Sequence, residues 1–122
     1  MNNENFTQDT VLDIITDFPI DPLRNKVVIT LNKELIEGTL DLSNGTMSEV
    51  QYVIAGEVNY RDKVVKPGQK VLLDIRGMMK VVRREVNNQY QEVEQIELDP
   101  LEVNGQIFAI IDDRFIKAVD NR

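Results

Sequence analysis

The sequence predicts a small all-β domain: a partly open β-barrel with a long loop after its first strand and an extra hairpin. Apolar residues recur with a period of two in several runs after residue 25, which is typical of strands. Turn signals of Gly, Pro and Asn separate these runs, and no stretch after residue 18 keeps a helical period for three turns. At 122 residues, the chain has room for one such domain.

The first seventeen residues are predicted to form an acidic N-terminal arm, which leaves residues 18–122 for the barrel. The arm contains four acidic residues and neither Lys nor Arg, so it lacks the basic start of a secretory signal peptide. Thr7 can serve as an N-cap for the four apolar residues behind it. These residues are Val11, Leu12, Ile14 and Ile15. Their spacing fits a short helix and their β-branched content fits a short strand, and in either form we expect the arm to pack on another surface.

Five runs alternate clearly enough to be predicted as strands of the barrel. They cover residues 26–33, 50–58, 70–75, 106–111 and 116–119. Pro67 and Gly68 fit a type II turn between two of these strands, because Pro presets φ and Gly accepts a positive φ. The apolar residues on both sides of Asn87 and Asn88 predict an inserted hairpin over about residues 80–98.

The connection over residues 34–49 is long for a compact domain. It combines Gly, Ser, Asn and Thr with four Leu and Ile residues, which are Leu35, Ile36, Leu40 and Leu42. These apolar residues either cover one end of the barrel or enter the hydrophobic groove of a partner that orders the segment. In an extended backbone Leu40 and Leu42 point to the same side, which suits insertion into such a groove.

Charge and composition exclude several classes of protein. Fourteen basic and twenty-one acidic residues give a net charge of -7, which argues against binding to nucleic acid or to a membrane surface, because both need a basic face. Without Cys or His, the chain has no disulfide, no thiol nucleophile and none of the commonest metal ligand. Paired acids such as Asp112 and Asp113 are expected on a solvated surface. We therefore expect no enzymatic activity, no cofactor and no metal site, and an intracellular protein that resides in the cytoplasm.

Four segments of the chain, in this order, resemble the GroES-type co-chaperonin family. Residues 22–29 (PLRNKVVI) are similar to the opening Pro-Leu segment and first strand of that family, and residues 52–57 (YVIAGE) to its Gly-Glu-Val-Leu-Ala-Val-Gly strand. Residues 65–72 (VKPGQKVL) match a Val-Lys-x-Gly-Asp-x-Val signature, with Gln69 in place of the Asp. Residues 105–119 are similar to the ending of the family, which is a strand, an acidic turn and a final strand.

The resemblance implies a ring, typically of seven subunits, that caps an ATP-driven chaperonin and assists protein folding. It implies that a mobile loop of each subunit binds the chaperonin, and that the first and last strands pair between subunits. The loop residues that would contact the chaperonin are Leu35, Ile36, Gly38, Thr39, Leu40 and Leu42. The residues at the subunit interface would be Val27, Ile29, Ile116, Ala118 and Val119.

The chain also departs from the family pattern. Asp41 stands between two apolar loop residues, and the connection over residues 59–64 is too short for the roof hairpin of the bacterial proteins. The N-terminal arm and residues 78–101 are longer than the family needs. A bacteriophage-encoded member also lacks the roof, so the resemblance implies a divergent, phage-type co-chaperonin. The alternative is the same barrel in a structural, virion or capsid-associated protein, in which residues 11–15 would anchor the arm on a neighbour.

Overall fold

The computed structural model describes residues 5–33, 35, 36, 39, 40, 47–60 and 63–122. Within them most residues lie in antiparallel strands, which confirms the predicted all-β class. The strands are β1 (Lys26–Thr30), β2 (Leu35–Ile36), β3 (Thr39–Leu40), β4 (Val50–Ala55), β5 (Val58–Tyr60), β6 (Lys63–Val65), β7 (Lys70–Leu73), β8 (Met79–Val86), β9 (Gln89–Ile96), β10 (Asp99–Val103), β11 (Gln106–Asp112) and β12 (Ile116–Val119). The helices are α1 (Gln8–Thr16), the single turn α2 (Ile75–Met78) and a 3-10 turn at Asp113–Phe115.

Six strands form the central sheet, in the order β10-β11-β1-β4-β7-β12. Each neighbouring pair is antiparallel, and the five predicted strands are β1, β4, β7, β11 and β12. β4 pairs with two strands at different points along its length: residues 50–52 pair with β7, and Val53 and Ala55 pair with β1. As far as the described residues show, β10 and β12 are opposite edges of the sheet, so it does not close into a barrel.

The predicted inserted hairpin is present as β8 and β9, here called the long hairpin. Eight consecutive residue pairs join its strands, from Met79 with Ile96 to Val86 with Gln89. Asn87 and Asn88 connect the strands with φ angles of 53° and 62°. Two successive positive φ angles are those of a type I′ turn, which matches the right-handed twist of a hairpin. Asn therefore serves here in both positions because it tolerates the left-handed region better than most residues.

Apolar side chains cover both faces of the central sheet. The main core on one face contains Val27, Ile29, Met47, Val53, Val58, Val65, Val71, Leu73, Met78, Ala109, Ile111 and Phe115. A second, smaller core on the other face contains Phe6, Val11, Val28, Ile54, Ala55 and Phe108. Phe108 is its centre: the ring of Phe6 stacks on it at 5.4 Å between centroids and the ring of Phe18 meets it edge-on at 5.2 Å.

The N-terminal segment is helical, which decides between the helix and the strand that its sequence left open. Thr7 is the N-cap, and its backbone N–H donates to Thr10 Oγ1 at 2.8 Å in a capping box. The helix turns Val11 onto the sheet, where this side chain is completely buried, while Leu12 stays 48% exposed. Neither helix in the described part of the chain is long and apolar enough to cross a membrane.

The structure corrects the prediction that Val27 and Ile29 lie at a subunit interface. Both side chains are completely buried in the main core. β1 is also an inner strand, because β11 pairs with one of its edges and β4 with the other. Its backbone donors and acceptors are thus used within the chain, and β1 has no free edge for another subunit.

Candidate interaction surfaces

The loop over residues 34–49 lies between β1 and β4, and one buried side chain joins these two strands through hydrogen bonds. Gln51 is completely buried in β4 and uses both ends of its amide. Its Oε1 accepts from Thr30 Oγ1 at 2.7 Å and from the backbone N–H of Asn32 at 2.8 Å. Its Nε2 donates to the carbonyl oxygens of Asn32 at 2.9 Å and Ser48 at 2.8 Å. All four hydrogen bonds available to the amide are made, so burial leaves no polar group unsatisfied.

The N-terminal segment also forms hydrogen bonds with Asn32 and Lys33, the residues that precede this loop. Asn32 pairs with Phe6 in both directions: its Oδ1 accepts from the Phe6 N–H at 2.8 Å and its Nδ2 donates to the Phe6 carbonyl at 3.0 Å. Asn5 pairs in the same way with the backbone of Lys33, at 2.8 and 2.9 Å. Lys33 in turn forms an isolated bridge with Met47. Residues 34–46 therefore connect two positions that are held side by side.

The predicted chaperonin-binding residues fall only partly within the described structure. Leu35 pairs with Leu40 and Ile36 with Thr39 in a short antiparallel ladder between β2 and β3. Gly38 and Leu42 lie outside the described residues. For Leu35, Ile36, Thr39 and Leu40 the structure describes the strand pairing but not the positions of the side chains. The assignment of these six residues to a partner contact stays a prediction.

The predicted interface residues of the last strand lie at an open sheet edge. β12 pairs with β7 on one side and is the last strand of the sheet among the described residues. Ala118 is exposed, whereas Ile116 and Val119 are half-buried and pack against the main core. An edge strand with unused backbone groups is a template for pairing with another chain.

A groove of about 530 Å³ runs beside this edge, between β12 and the short hairpin of β5 and β6. Its lining residues are Val58, Lys63, Val65, Arg114, Ile116, Lys117, Ala118 and Val119. Five of these side chains are apolar and three are cationic, and none is acidic. The surface therefore suits a partner that is apolar and negatively charged.

The clearest electrostatic feature near the sheet end is an ion pair between Lys26 and Asp112. The two residues face each other across β1 and β11, and Lys26 Nζ donates to Asp112 Oδ1. This hydrogen bond lowers the pKa of Asp112 and raises the pKa of Lys26. Arg114 Nε lies 3.5 Å from the other carboxylate oxygen and adds to the attraction. The pair joins two neighbouring strands and has the character of a structural contact.

The role of buried Gln51 and the groove beside β12 were not foreseen from the sequence. The role of Gln51 has no local signal, because its partners are 3 to 21 residues away and include backbone atoms. The groove depends on the short hairpin at β5 and β6 approaching β12, which residue spacing alone does not specify. Among the described residues, no group of three or more acidic side chains converges to form a metal site.

The sequence matches no protein-family model, and no curated protein matches it.

Proposed function

We propose that this chain is a subunit of a co-chaperonin-like ring that caps a chaperonin and assists protein folding. The observation that carries the proposal is the loop base, by which we mean Asn32 and Ser48 on either side of residues 34–46: Gln51 joins these two residues, and Asn32 also pairs with Phe6. A loop that presents apolar residues from a rigid base loses less entropy on binding than one with free ends. The loop sequence carries Leu35, Ile36, Leu40 and Leu42.

The open edge at β12 supports the ring part of the proposal. Ile116, Ala118 and Val119 belong to β12, which is an edge strand of the sheet among the described residues, and they line the groove beside it. Head-to-tail contacts of this kind form closed rings when the rotation between copies closes. In a ring, weak contacts from each loop add up, because every subunit presents the same loop to the partner. Catalysis is left to the chaperonin, which binds and hydrolyses the ATP, and the ring would act in the cytoplasm.

The native mass of the purified chain, alone and with a chaperonin and ATP, tests the proposal. A seven-membered ring has a mass of about 98 kDa, seven times the 14.0 kDa of one chain. We expect an oligomer of that size that comigrates with chaperonin only when nucleotide is present. A monomer, or an oligomer that ignores the chaperonin, would refute the proposal.

Substitutions in the loop test which residues make the contact. The double variant Leu40→Asp and Leu42→Asp places two charges where we propose apolar contacts, so chaperonin capture should be lost while the oligomer keeps its mass. Leu23→Asp is the matched control, because Leu23 lies outside the loop and is 83% exposed. Unchanged capture by the double variant would remove the loop from the proposal.

A structural, virion or capsid-associated role remains the second candidate, but α1 offers it limited support. In that role residues 11–15 would anchor the chain on a neighbour. Val11 is instead completely buried in its own domain, and Ile14 and Ile15 pack against the second core. Leu12 is the only apolar side chain of this stretch that is largely exposed, which is little apolar surface for a stable contact.

A further inference from the structure

The groove beside β12 has the chemistry of a site for an apolar and acidic segment. Val58 and Val65 form its floor and are only 7% and 5% exposed. Two of its three cations form long ion pairs within the chain: Arg114 Nε lies 3.5 Å from Asp112 Oδ2, and Lys117 Nζ lies 3.6 Å from Glu49 Oε2. Both distances exceed those of a close charge-assisted hydrogen bond. A partner that brings carboxylates to this rim therefore gains charge complementarity over an apolar floor.

The long hairpin carries a face of the complementary kind. Because the ladder from Met79 to Ile96 has no irregularity, residues of successive pairs alternate between the two faces of the hairpin. One face contains Met79, Val81, Arg83, Glu85, Tyr90, Glu92, Glu94 and Ile96. This face has three carboxylates and one cation, and we call it the anionic face. Its apolar side chains are unusually open to solvent, with Tyr90 73% and Val81 61% exposed.

The long hairpin also lacks support from the rest of the chain along most of its length. Only Val82, Val93 and Ile96 in its two strands are even half-buried. A two-stranded hairpin by itself is marginally stable in water, so covering one face with another surface would stabilise it. Within the described residues, Ile96 at the base of the hairpin packs against the main core, whereas Val81 and Tyr90 farther along it stay largely exposed.

We infer that the groove beside β12 of one copy receives the anionic face of the long hairpin of a second copy. The inference rests on the proposed function because it requires a head-to-tail assembly, and it names the contact between neighbouring subunits. The first strand is not available for this contact, since β1 is paired on both edges. The edge strand β10 is a poorer occupant, because Pro100 lacks an N–H and Leu101 packs against the second core of its own chain.

Cysteine cross-linking tests the contact directly, because the natural chain contains no Cys. A chain with Tyr90→Cys and Ala118→Cys places one thiol on the anionic face and one in the groove. Oxidation should join copies through disulfides into a ladder of covalent multimers that ends at the size of the ring. Each single variant has only one of the two thiols, so it should give no ladder. Leu12→Cys with Ala118→Cys is the matched control for an exposed residue on α1.

Each outcome of the oxidation decides the inference. A ladder from the hairpin pair alone supports it. A ladder from the α1 pair, with or without one from the hairpin pair, an internal disulfide within one chain, or no cross-link in an intact ring overturns it. If the unsubstituted chain is monomeric, both the ring proposal and the present inference fail. If the ring forms and is captured by chaperonin without the cross-link, only the present inference fails.

Charge reversal provides a second and independent readout. Lys63→Glu changes the groove, and Glu94→Lys changes the anionic face at a position opposite the uncharged Val81. We expect each single variant to raise the dissociation constant between subunits about tenfold at low salt. The combined variant should return to within about twofold of the unsubstituted chain, because the pair of charges is exchanged. Lys66→Glu is the control outside the groove, and a combined variant no tighter than the single ones would overturn the contact.

Discussion

Gln51 and Asn32 are joined by two hydrogen bonds that connect the end of β1 to β4. Gln51 Nε2 donates to the Asn32 carbonyl at 2.9 Å, and Gln51 Oε1 accepts from the Asn32 N–H at 2.8 Å. Asn32 lies beyond the last residue of β1, and the side chain of Gln51 in β4 bonds its backbone in the way that a neighbouring strand would. This relationship makes Gln51 the residue on which the geometry of the loop base depends.

Replacing Gln51 with Leu should destabilise the domain by about 3 kcal/mol or more, because buried polar groups would lose their partners. The Asn32 N–H and the Ser48 carbonyl lose the Gln51 amide, and the Thr30 O–H loses its acceptor. The Asn32 carbonyl keeps the Ser48 N–H at 2.9 Å, and Thr30 Oγ1 still accepts from the Tyr52 N–H at 3.0 Å. Urea unfolding curves would measure the loss.

Gln69→Leu is the matched control for the loss of an amide. Gln69 Oε1 accepts one exposed hydrogen bond, from the Lys66 N–H at 2.8 Å, so its replacement should cost less than about 1 kcal/mol. Equal stability of the Gln51 variant and the natural chain would contradict the role given to Gln51.

The N-terminal helix is predicted to be part of the folded core rather than a removable arm. Val11→Ala removes two methyl groups from a completely buried site, so we expect a loss of about 2 kcal/mol in the free energy of unfolding. Leu12→Ala, at a 48% exposed neighbour, should cost less than about 1 kcal/mol. Thermal and urea unfolding of both variants would check this.

Deletion of residues 1–17 follows from the same packing. It would remove Phe6 and Val11 and uncover Phe108, so the shortened chain should unfold more easily and expose an apolar surface. If the deletion left stability unchanged, α1 would not be packed as described. Tests of the arm in assembly therefore need surface substitutions such as Leu12→Asp in place of deletion.

The ion pair between Lys26 and Asp112 predicts a specific dependence of stability on pH. The hydrogen bond from Lys26 lowers the pKa of Asp112 below its ordinary value of 3.8 in the folded state. The unfolded chain therefore binds more protons in this range, and the contribution of the pair is complete above about pH 4 and lost as the pH falls through the folded pKa. Asp112→Asn should reduce stability at pH 7, and the difference from the natural chain should shrink in acid.

The control for this pH dependence is Asp21→Asn, which makes the same change of charge at an exposed position before β1. Its unfolding free energy should follow that of the natural chain from pH 7 into acid. A difference between Asp112→Asn and the natural chain that persists unchanged at low pH would show that the substitution acts through packing instead.

The strands could be predicted from the sequence because a period of two places apolar residues on one face. The same rule could not say how much of each face is buried. Val27 and Ile29 alternate with Val28, so both faces of β1 are apolar, and this pattern is typical of a strand covered on both sides. The second cover is α1, whose form the sequence left open between helix and strand. The assignment of β1 to a subunit interface was wrong because that cover, and β4, come from the same chain.

The candidate site was less accessible to prediction than the fold. Residues such as Ala118 could be singled out because they belong to the last strand, but the groove beside them requires β5 and β6 to fold back toward it. The polar contacts of Gln51 and Asn32 are set by tertiary structure, and no local pattern distinguishes them from other strand or loop amides.

The pairing of β1 with β11 has a consequence for how the protein is made. Lys26 lies opposite Asp112, and β1 is held between β11 and β4. A ribosome releases the chain from its N-terminus, so β1 emerges long before the strand that completes its hydrogen bonds. The early half of the chain must wait with apolar side chains exposed, which favours aggregation of incomplete chains. The central sheet can therefore be completed only after β11 has left the ribosome.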